Sequence, residues 1–163
     1  MPAHRNPGLA ADSIVIRDGE QGTELLLISR GKDPFKGKLA FPGGFVEHGE
    51  DPEVACLREL KEETNITGDS VHLIAVAGDP KRDPRGHTVS IIYAVTTKTQ
   101  ALEELKFGDD AAEAQFYPIK DIIKKAEAGD LAFDHGDILI NNVIPHLQNQ
   151  DNLSKISNFA LKI

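Results

Sequence analysis

Residues 44–66 read GFVEHGEDPEVACLRELKEETNI, and their spacing decides how the rest of the chain is understood. Asp51 suits an N-cap, Pro52 the first helical position and Asn65 a left-handed cap after Thr64, so a helix is expected over residues 51–64. At 100° per residue, Glu59, Glu62 and Glu63 fall within one arc of roughly 100°. Val54, Leu57 and Leu60 fall on the opposite side and are expected to face a core. Like charges at i,i+3 and i,i+4 destabilise a helix by roughly 0.2–0.5 kcal/mol per pair. A hard divalent cation with oxygen ligands, Mg²⁺ or Mn²⁺, removes that conflict. Arg58 stands beside the cluster, and Glu50, at the end of the preceding loop, is a candidate partner that fixes where the loop enters the helix.

Outward from the helix, Arg30 to Gly49 reads as loop, punctuated by Gly31, Pro34, Gly37, Pro42, Gly43, Gly44 and Gly49. Before it, Ser13–Arg17 and Leu25–Ser29 read as strands around the polar turn DGEQGTE, and residues 1–11 as an N-terminal arm or edge segment. After it come strands at Val71–Gly78 and His87–Thr97, separated by the charged loop DPKRDPR, then a short strand at Ala114–Tyr117. Ile119–Ala128 and Asp134–Gln148 read as helices, and residues 150–163 as a C-terminal tail made apolar by Ile156, Phe159, Leu161 and Ile163. Strands, helix, strands, helix, with no regular βαβ alternation, predicts a mixed sheet with flanking helices: an α+β or α/β sandwich, in one domain over residues 1–163.

A solvated acidic face is the ordinary explanation of a short glutamate run, but the pattern here is longer. Gly44, Glu50, Arg58, Glu59, Glu62 and Glu63, with Leu60 and Ile66 at the bulky aliphatic positions, match G-x5-E-x7-R-E-U-x-E-E-x-G-U. Six such positions would match by chance roughly once in ten million starts. The chain therefore resembles the Nudix hydrolases. Its one departure is Asn65 for the last glycine, and Asn is the next-best residue for a left-handed cap.

The resemblance implies an α/β/α sandwich and Mg²⁺- or Mn²⁺-dependent hydrolysis of a nucleoside diphosphate linked to another moiety. By position, Glu59 and Glu63 resemble the principal metal ligands, with Glu62 an additional ligand or a base and the main-chain carbonyl of Gly43 completing a site. Gly44, Glu50 and Arg58 would be the structural part of the box, the last two as an ion pair. The flanks RGKDPFKGKLAFPGGFVEHGE, GDPKRDPRGHTVSIIYAV, GDDAAEAQFYPI and LAFDHGDIL resemble the ADP-ribose pyrophosphatase-like branch, whose substrate would be split into AMP and ribose 5-phosphate. Neighbouring branches with similar flanks act on nucleoside diphosphate sugars, dinucleoside polyphosphates or modified triphosphates, or sense ADP-ribose without cutting it. Sensors tend to lose box glutamates and carry an added winged-helix domain; no glutamate is lost here, and the roughly thirty residues after LAFDH are too few for such a domain.

Arg30, Arg82 and Arg85 are candidate grips on the diphosphate, because a guanidinium fork matches phosphate oxygens. Phe35 and Phe41 flank the Gly-rich loop; core packing is the first role for both, and Phe41 is carried as a candidate to stack on the base. Asp109, Asp110 and Glu113 precede the strand Ala114–Tyr117, and in the resembled enzymes a loop carboxylate here supplies a further ligand or the general base, so Asp110 and Glu113 join Glu62 and Glu63 as catalytic candidates. His87 and His135 are candidates to contact substrate, though a lone His is more often structural, and Cys56 is read as inert.

A net charge of −8 lacks the basic footprint of a nucleic-acid binder, so a phosphate-bearing small molecule would need local cations. One cysteine leaves no intramolecular disulfide, and no apolar run is long enough to span a membrane. These features favour a cytoplasmic protein with a small nucleotide as its partner rather than nucleic acid or membrane. A homodimer is compatible with the apolar tail and common in the resembled branch.

Overall fold

The computed structural model describes residues 5–106 and 111–149. Its eight strands are β1 Gly8–Ile14, β2 Ile16–Gly19, β3 Gly22–Arg30, β4 Leu39–Ala40, β5 Gly43–Phe45, β6 Ser70–Ala77, β7 Thr88–Thr96 and β8 Ala111–Pro118. Helix α1 is Pro52–Thr64, α2 a single turn at Thr99–Leu102, and α3 Ile119–Glu127. Helix α4, His135–Ile138, runs through a π turn at Leu139–Val143 into α5, Ile144–Gln148. Among the described residues no helix is long and apolar enough to cross a membrane.

One sheet has the order β5-β1-β7-β6, with β1 parallel to β7 and the other pairs antiparallel. In the other, β8 runs along one side of β3, while β2 and β4 share the opposite side. The run Leu25-Leu26-Leu27 is fully buried because both faces of β3 are covered. Leu26 joins Ala11, Val15, Tyr93 and Val95 in a core capped by Ala55, Cys56 and Leu60 of α1. Leu25 and Leu27 join Ile14, Ile16 and Ile92 in a second core capped by α3 and the C-terminal helices through Ile119, Ile122, Leu139, Val143 and Leu147. Each fully buried aliphatic side chain contributes roughly 1.5–3 kcal/mol. Helices on both faces of mixed strands make the expected α/β/α sandwich.

Three expectations change. The N-terminal arm is shorter than residues 1–11: β1 begins at Gly8 and lies between β5 and β7. The small residues of this segment are there because neighbours come close. A Cβ on Gly8 would stand 3.1 Å from the Phe45 ring, and Ala11 is fully buried. The Gly-rich loop contains β4 and β5, too short at two and three residues to show a period. Finally, Val54 is 57% exposed, and α1 buries Ala55, Cys56, Leu60, Glu63 and Thr64. The buried stripe is rotated toward the glutamates. The tail at residues 150–163 and the loop residues Asp109 and Asp110 lie outside the described residues.

Candidate active site

Helix α1 is fixed at both ends as its sequence predicts. The Asp51 carboxylate accepts the Glu53 amide at 2.8 Å, worth about 1 kcal/mol for such a cap. Asn65 takes a left-handed φ of 61°, gives its amide to the Lys61 carbonyl, and its side-chain nitrogen donates to the Glu104 carbonyl at 2.9 Å.

On the helix's outer edge, Arg58 donates to both oxygens of Glu50, at 2.8 and 2.9 Å, and to the Phe45 carbonyl at 3.1 Å. The Glu47 amide also donates to Glu50. These bonds, Arg58 first, hold the Glu50 carboxyl down at about 2, and the Glu50 bond raises the proton affinity of Arg58. The remaining Arg58 nitrogen reaches Glu59 at 2.7 Å and Glu62 at 3.3 Å. The predicted Glu50–Arg58 pair is thus present and ties loop, β5 and helix together.

Glu59 and Glu63 turn the other way, toward β5. Glu63 is 9% exposed and accepts the Gly43 amide at 2.9 Å. The Glu59 carboxylate lies over Gly44, where any Cβ would stand 2.5–2.7 Å from its atoms. At Gly43 a Cβ would meet the Ala11 carbonyl and the Asp12 carboxylate at 2.4 Å. The two glycines are therefore the room that lets two carboxylates approach a strand. Glu62 does not join them: its side chain is 59% exposed on the outer flank. Burial, opposed by the Gly43 amide and reinforced by the charges of Glu59 and Asp12, pushes the Glu63 carboxyl up to about 8. Burial also raises Glu59.

These side chains line a cleft of about 430 Å³ that also takes in Arg30, Arg82, Asp83, Arg85, Phe45, Phe133 and His135. The Arg85 guanidinium lies 5.2 Å from the Phe45 ring and 5.7 Å from that of Phe133, while holding Asp83 at 2.8 Å. Arg30 sits 4.8 Å over Phe133 and gives its Nε to the Pro34 carbonyl. Burial and then the charge of Arg85 lower the proton affinity of Arg30, so two cations crowd one side of the cleft opposite the carboxylates. Arg82 is different. Its side chain is 4% exposed and it grips both oxygens of Asp134, at 2.6 to 3.1 Å, so it braces the cleft wall.

Two further candidates are corrected. Phe41 is 1% exposed and stacked on His135, in the core rather than on the cleft wall. The aromatic surfaces in the cleft are Phe45, 45% exposed, and Phe133, whose φ of 53° is held by an edge contact with Phe35. Glu113 is exposed on β8 opposite Ser29, away from the cleft lining. Cys56 is buried with its thiol pushed up to about 12 by burial, so it is inert as expected. Asp12 was missed. It is buried behind Gly43, accepts the Ser90 hydroxyl, and is pushed up by burial to about 6. No local pattern announces it, because Ser90 is 78 residues away.

The NUDIX domain pattern matches residues 7–138, most of the chain. The chain belongs to the NUDIX family. It is 43% identical over 134 residues to an ADP-ribose pyrophosphatase of Methanocaldococcus jannaschii, covering 82% of this chain and 72% of that protein. It is 31% identical to an ADPR responsive transcriptional repressor of Acinetobacter baylyi, covering 82% of this chain but 52% of the repressor. In structure it is similar to the NUDIX domain of Shewanella oneidensis NrtR complexed with ADP ribose, with a TM-score of 0.74 and 26% identity over 85% of this chain and 87% of that one. The chain is a NUDIX pyrophosphohydrolase of the ADP-ribose pyrophosphatase-like kind, and hydrolases of this family use divalent metal ions. The donor set fits one. Among the described residues no three acidic, His or Cys side chains form a closed cage. Mg²⁺ is commonly held by one or two carboxylates with the substrate's phosphates filling the remaining positions.

Proposed function

We propose that this chain hydrolyses ADP-ribose to AMP and ribose 5-phosphate with Mg²⁺ or Mn²⁺ held by Glu59, Glu63 and the main-chain carbonyl of Gly43. The observation that carries the reading is the cleft itself, in which the carboxylates of Glu59 and Glu63 and the guanidiniums of Arg30 and Arg85 line one space of nucleotide size. When bound, the ion polarises the diphosphate and lowers the pKa of the attacking water.

The chain's own residues do the rest. Arg30 and Arg85 face the diphosphate oxygens and offset charge as it develops there. Phe45 and Phe133 offer rings for the base and exclude water from one end of the cleft. Arg58 and Glu50 keep Glu59 from rotating away. One water oxygen bonds to phosphorus, the bond from that phosphorus to the bridging oxygen breaks, and the water proton passes to a carboxylate. Glu62 on the helix flank and Asp110, next to β8 in sequence, contend for that proton, and Glu62 alternatively serves as a further ligand.

A turnover panel with Mg²⁺ tests the substrate: ADP-ribose, a nucleoside diphosphate sugar, a dinucleoside polyphosphate and an oxidised nucleoside triphosphate. ADP-ribose is expected to give the highest kcat/KM, and equal or faster turnover of the triphosphate overturns the choice. The second reading, a sensor that binds ADP-ribose without cutting it, draws on the repressor relatives. Tight binding of ADP-ribose with no release of AMP would favour it.

A further inference from the structure

We infer that His135 is the positioning residue of this site, fixing the Phe41–Gly43 backbone so that the Gly43 amide meets Glu63 and aims its carboxylate into the cleft. The inference rests on the assignment of the α1 carboxylates to the reaction.

The strand that faces α1 is the least self-sufficient part of the cleft. Gly43 and Gly44 carry no side chains, and neither tolerates one. Their place is set by backbone partners on neighbouring segments. Ser13 supplies two donors to the Pro42 carbonyl, its amide at 2.8 Å and its hydroxyl at 3.0 Å. Gly43 and Gly44 themselves pair with Asp12 and Ala11 of β1, and the segment Leu131–His135 holds the stretch that leads into them, Leu39 to Phe41. Leu131 bridges to Leu39 in parallel, and the Ala132 amide donates to the Leu39 carbonyl at 2.8 Å. This segment therefore runs beside β4 as a short extra strand. It then turns into α4, and its backbone is no longer available when the chain opposite reaches Phe41. The ring of His135 takes over: its Nδ1 accepts the Phe41 amide at 3.1 Å, and the ring stacks on Phe41 at 4.5 Å between centroids and 14° between planes.

Accepting that bond requires a bare Nδ1, so the ring proton sits on Nε2, which faces the Asp12 carboxylate at 3.9 Å. Burial, with the charge of Arg82, pushes His135 down to about 3 and keeps it neutral, as an acceptor must be. The residue before it is held as firmly. Asp134 stands at the N-cap of α4 yet makes no cap bond, because its carboxylate is taken by Arg82. Arg82 and Asp134 fix the start of α4, and α4 presents the imidazole to the glycine strand. Losing the acceptor leaves a buried Phe41 amide unpaired, and the strand shifts to find a partner.

The test has one arm on the unaltered protein and one on variants. In the wild type, long-range ¹H–¹⁵N correlation of the His135 ring is expected to show the Nε2-protonated tautomer; protonation at Nδ1 overturns the inference. His135→Phe keeps a ring of similar size and deletes the acceptor, while His135→Asn keeps an acceptor near the Nδ1 position. His135→Phe is expected to speed hydrogen exchange at the Phe41 amide and to weaken Mn²⁺ binding, read by calorimetry, by about 10–100-fold. Its kcat is expected to fall with little change in KM, and His135→Asn to restore most of both losses. A folded His135→Phe with wild-type exchange and Mn²⁺ affinity overturns the inference, as does a His135→Asn no better than His135→Phe. If His135→Phe does not fold, the tautomer and the behaviour of His135→Asn decide. The exchange and Mn²⁺ readouts stand whether or not ADP-ribose is the substrate, so a wild type that leaves ADP-ribose uncut defeats the proposed function without touching the role of His135.

Discussion

Helix α1 has two acidic edges, and they differ in whether the chain neutralises them. On the outer edge, Glu50 receives two guanidinium bonds and a main-chain amide, and its proton affinity drops far below the usual range. On the inner edge, Glu63 receives one amide, stands among Glu59 and Asp12, and holds its proton up to about 8. The same residue type thus serves opposite ends one turn apart in space. The matched edge is a joint. The unmatched edge is where the proposed cation would sit.

The largest effect should come from neutralising the unmatched edge. Glu63→Gln or Glu59→Gln is expected to lower kcat by at least about 100-fold. Glu63→Gln removes a buried carboxyl that must give up its proton as pH rises toward 8, so above that pH the metal-free variant is expected to melt above wild type, whereas Glu59→Gln also weakens the 2.7 Å contact with Arg58. A metal-free Glu63→Gln that melts well below wild type there would show that this edge is a structural pair after all.

Breaking the matched edge should have the reverse signature. Arg58→Ala is expected to lower thermal stability and to cost about 10–100-fold in activity through misplacement of Glu59. Arg58→Lys should recover little, because an ammonium cannot span both oxygens of Glu50 and still reach Glu59. Full activity in Arg58→Lys would reduce the joint to a simple charge contact.

The pH dependence of the metal-free protein separates the edges more gently. Glu63 keeps its proton in the fold to about 8 and releases it near 4.5 when unfolded, so its contribution is full below 4.5 and lost as pH rises toward 8. His135 is depressed to about 3, so its contribution is full above about 6.5 and lost as pH falls. Asp12, raised to about 6, and Glu59, also raised by burial, act in the same direction as Glu63, while His135 is level above about 6.5. In chelator, Tm is expected to fall between about pH 6.5 and 8, to recover on adding Mg²⁺, and to fall less in Glu63→Gln. A wild-type Tm that rises with pH there contradicts the assignment.

The smallest effect concerns the exposed aromatic lining of the cleft. Phe45→Ala is expected to raise KM several-fold with kcat little changed, because its half-exposed ring lines the cleft and carries no group that holds metal or proton. An unchanged KM would move the base-binding surface to Phe133 alone.

Much of this site was legible because it is local. Asp51, Pro52 and Asn65 bound one helix, and the Glu50–Arg58 spacing predicted a contact across eight residues. The orientation of the helix was less legible. Periodicity assumes that carboxylates face water, so it placed Val54 inside and the glutamates outside. The deciding fact was the space above Gly43 and Gly44, which belongs to another strand. Core packing was the first role read for Phe41 and holds, while its candidacy for stacking on the base fails because its ring is covered by His135, 94 residues on, a partner nothing near it in the chain reports. Asp12 and His135 are chemically ordinary in sequence and become informative only when β1, β5 and α4 meet.

The central claim is that the unmatched edge of α1 performs diphosphate hydrolysis, and one measurement addresses it directly. ADP-ribose turnover with Mg²⁺ is followed by release of AMP and ribose 5-phosphate from the wild type and from Glu63→Gln, both verified as folded. The predicted result is equal amounts of the two products from the wild type and a rate reduced by at least about 100-fold in the variant. Undiminished turnover by Glu63→Gln would contradict the account.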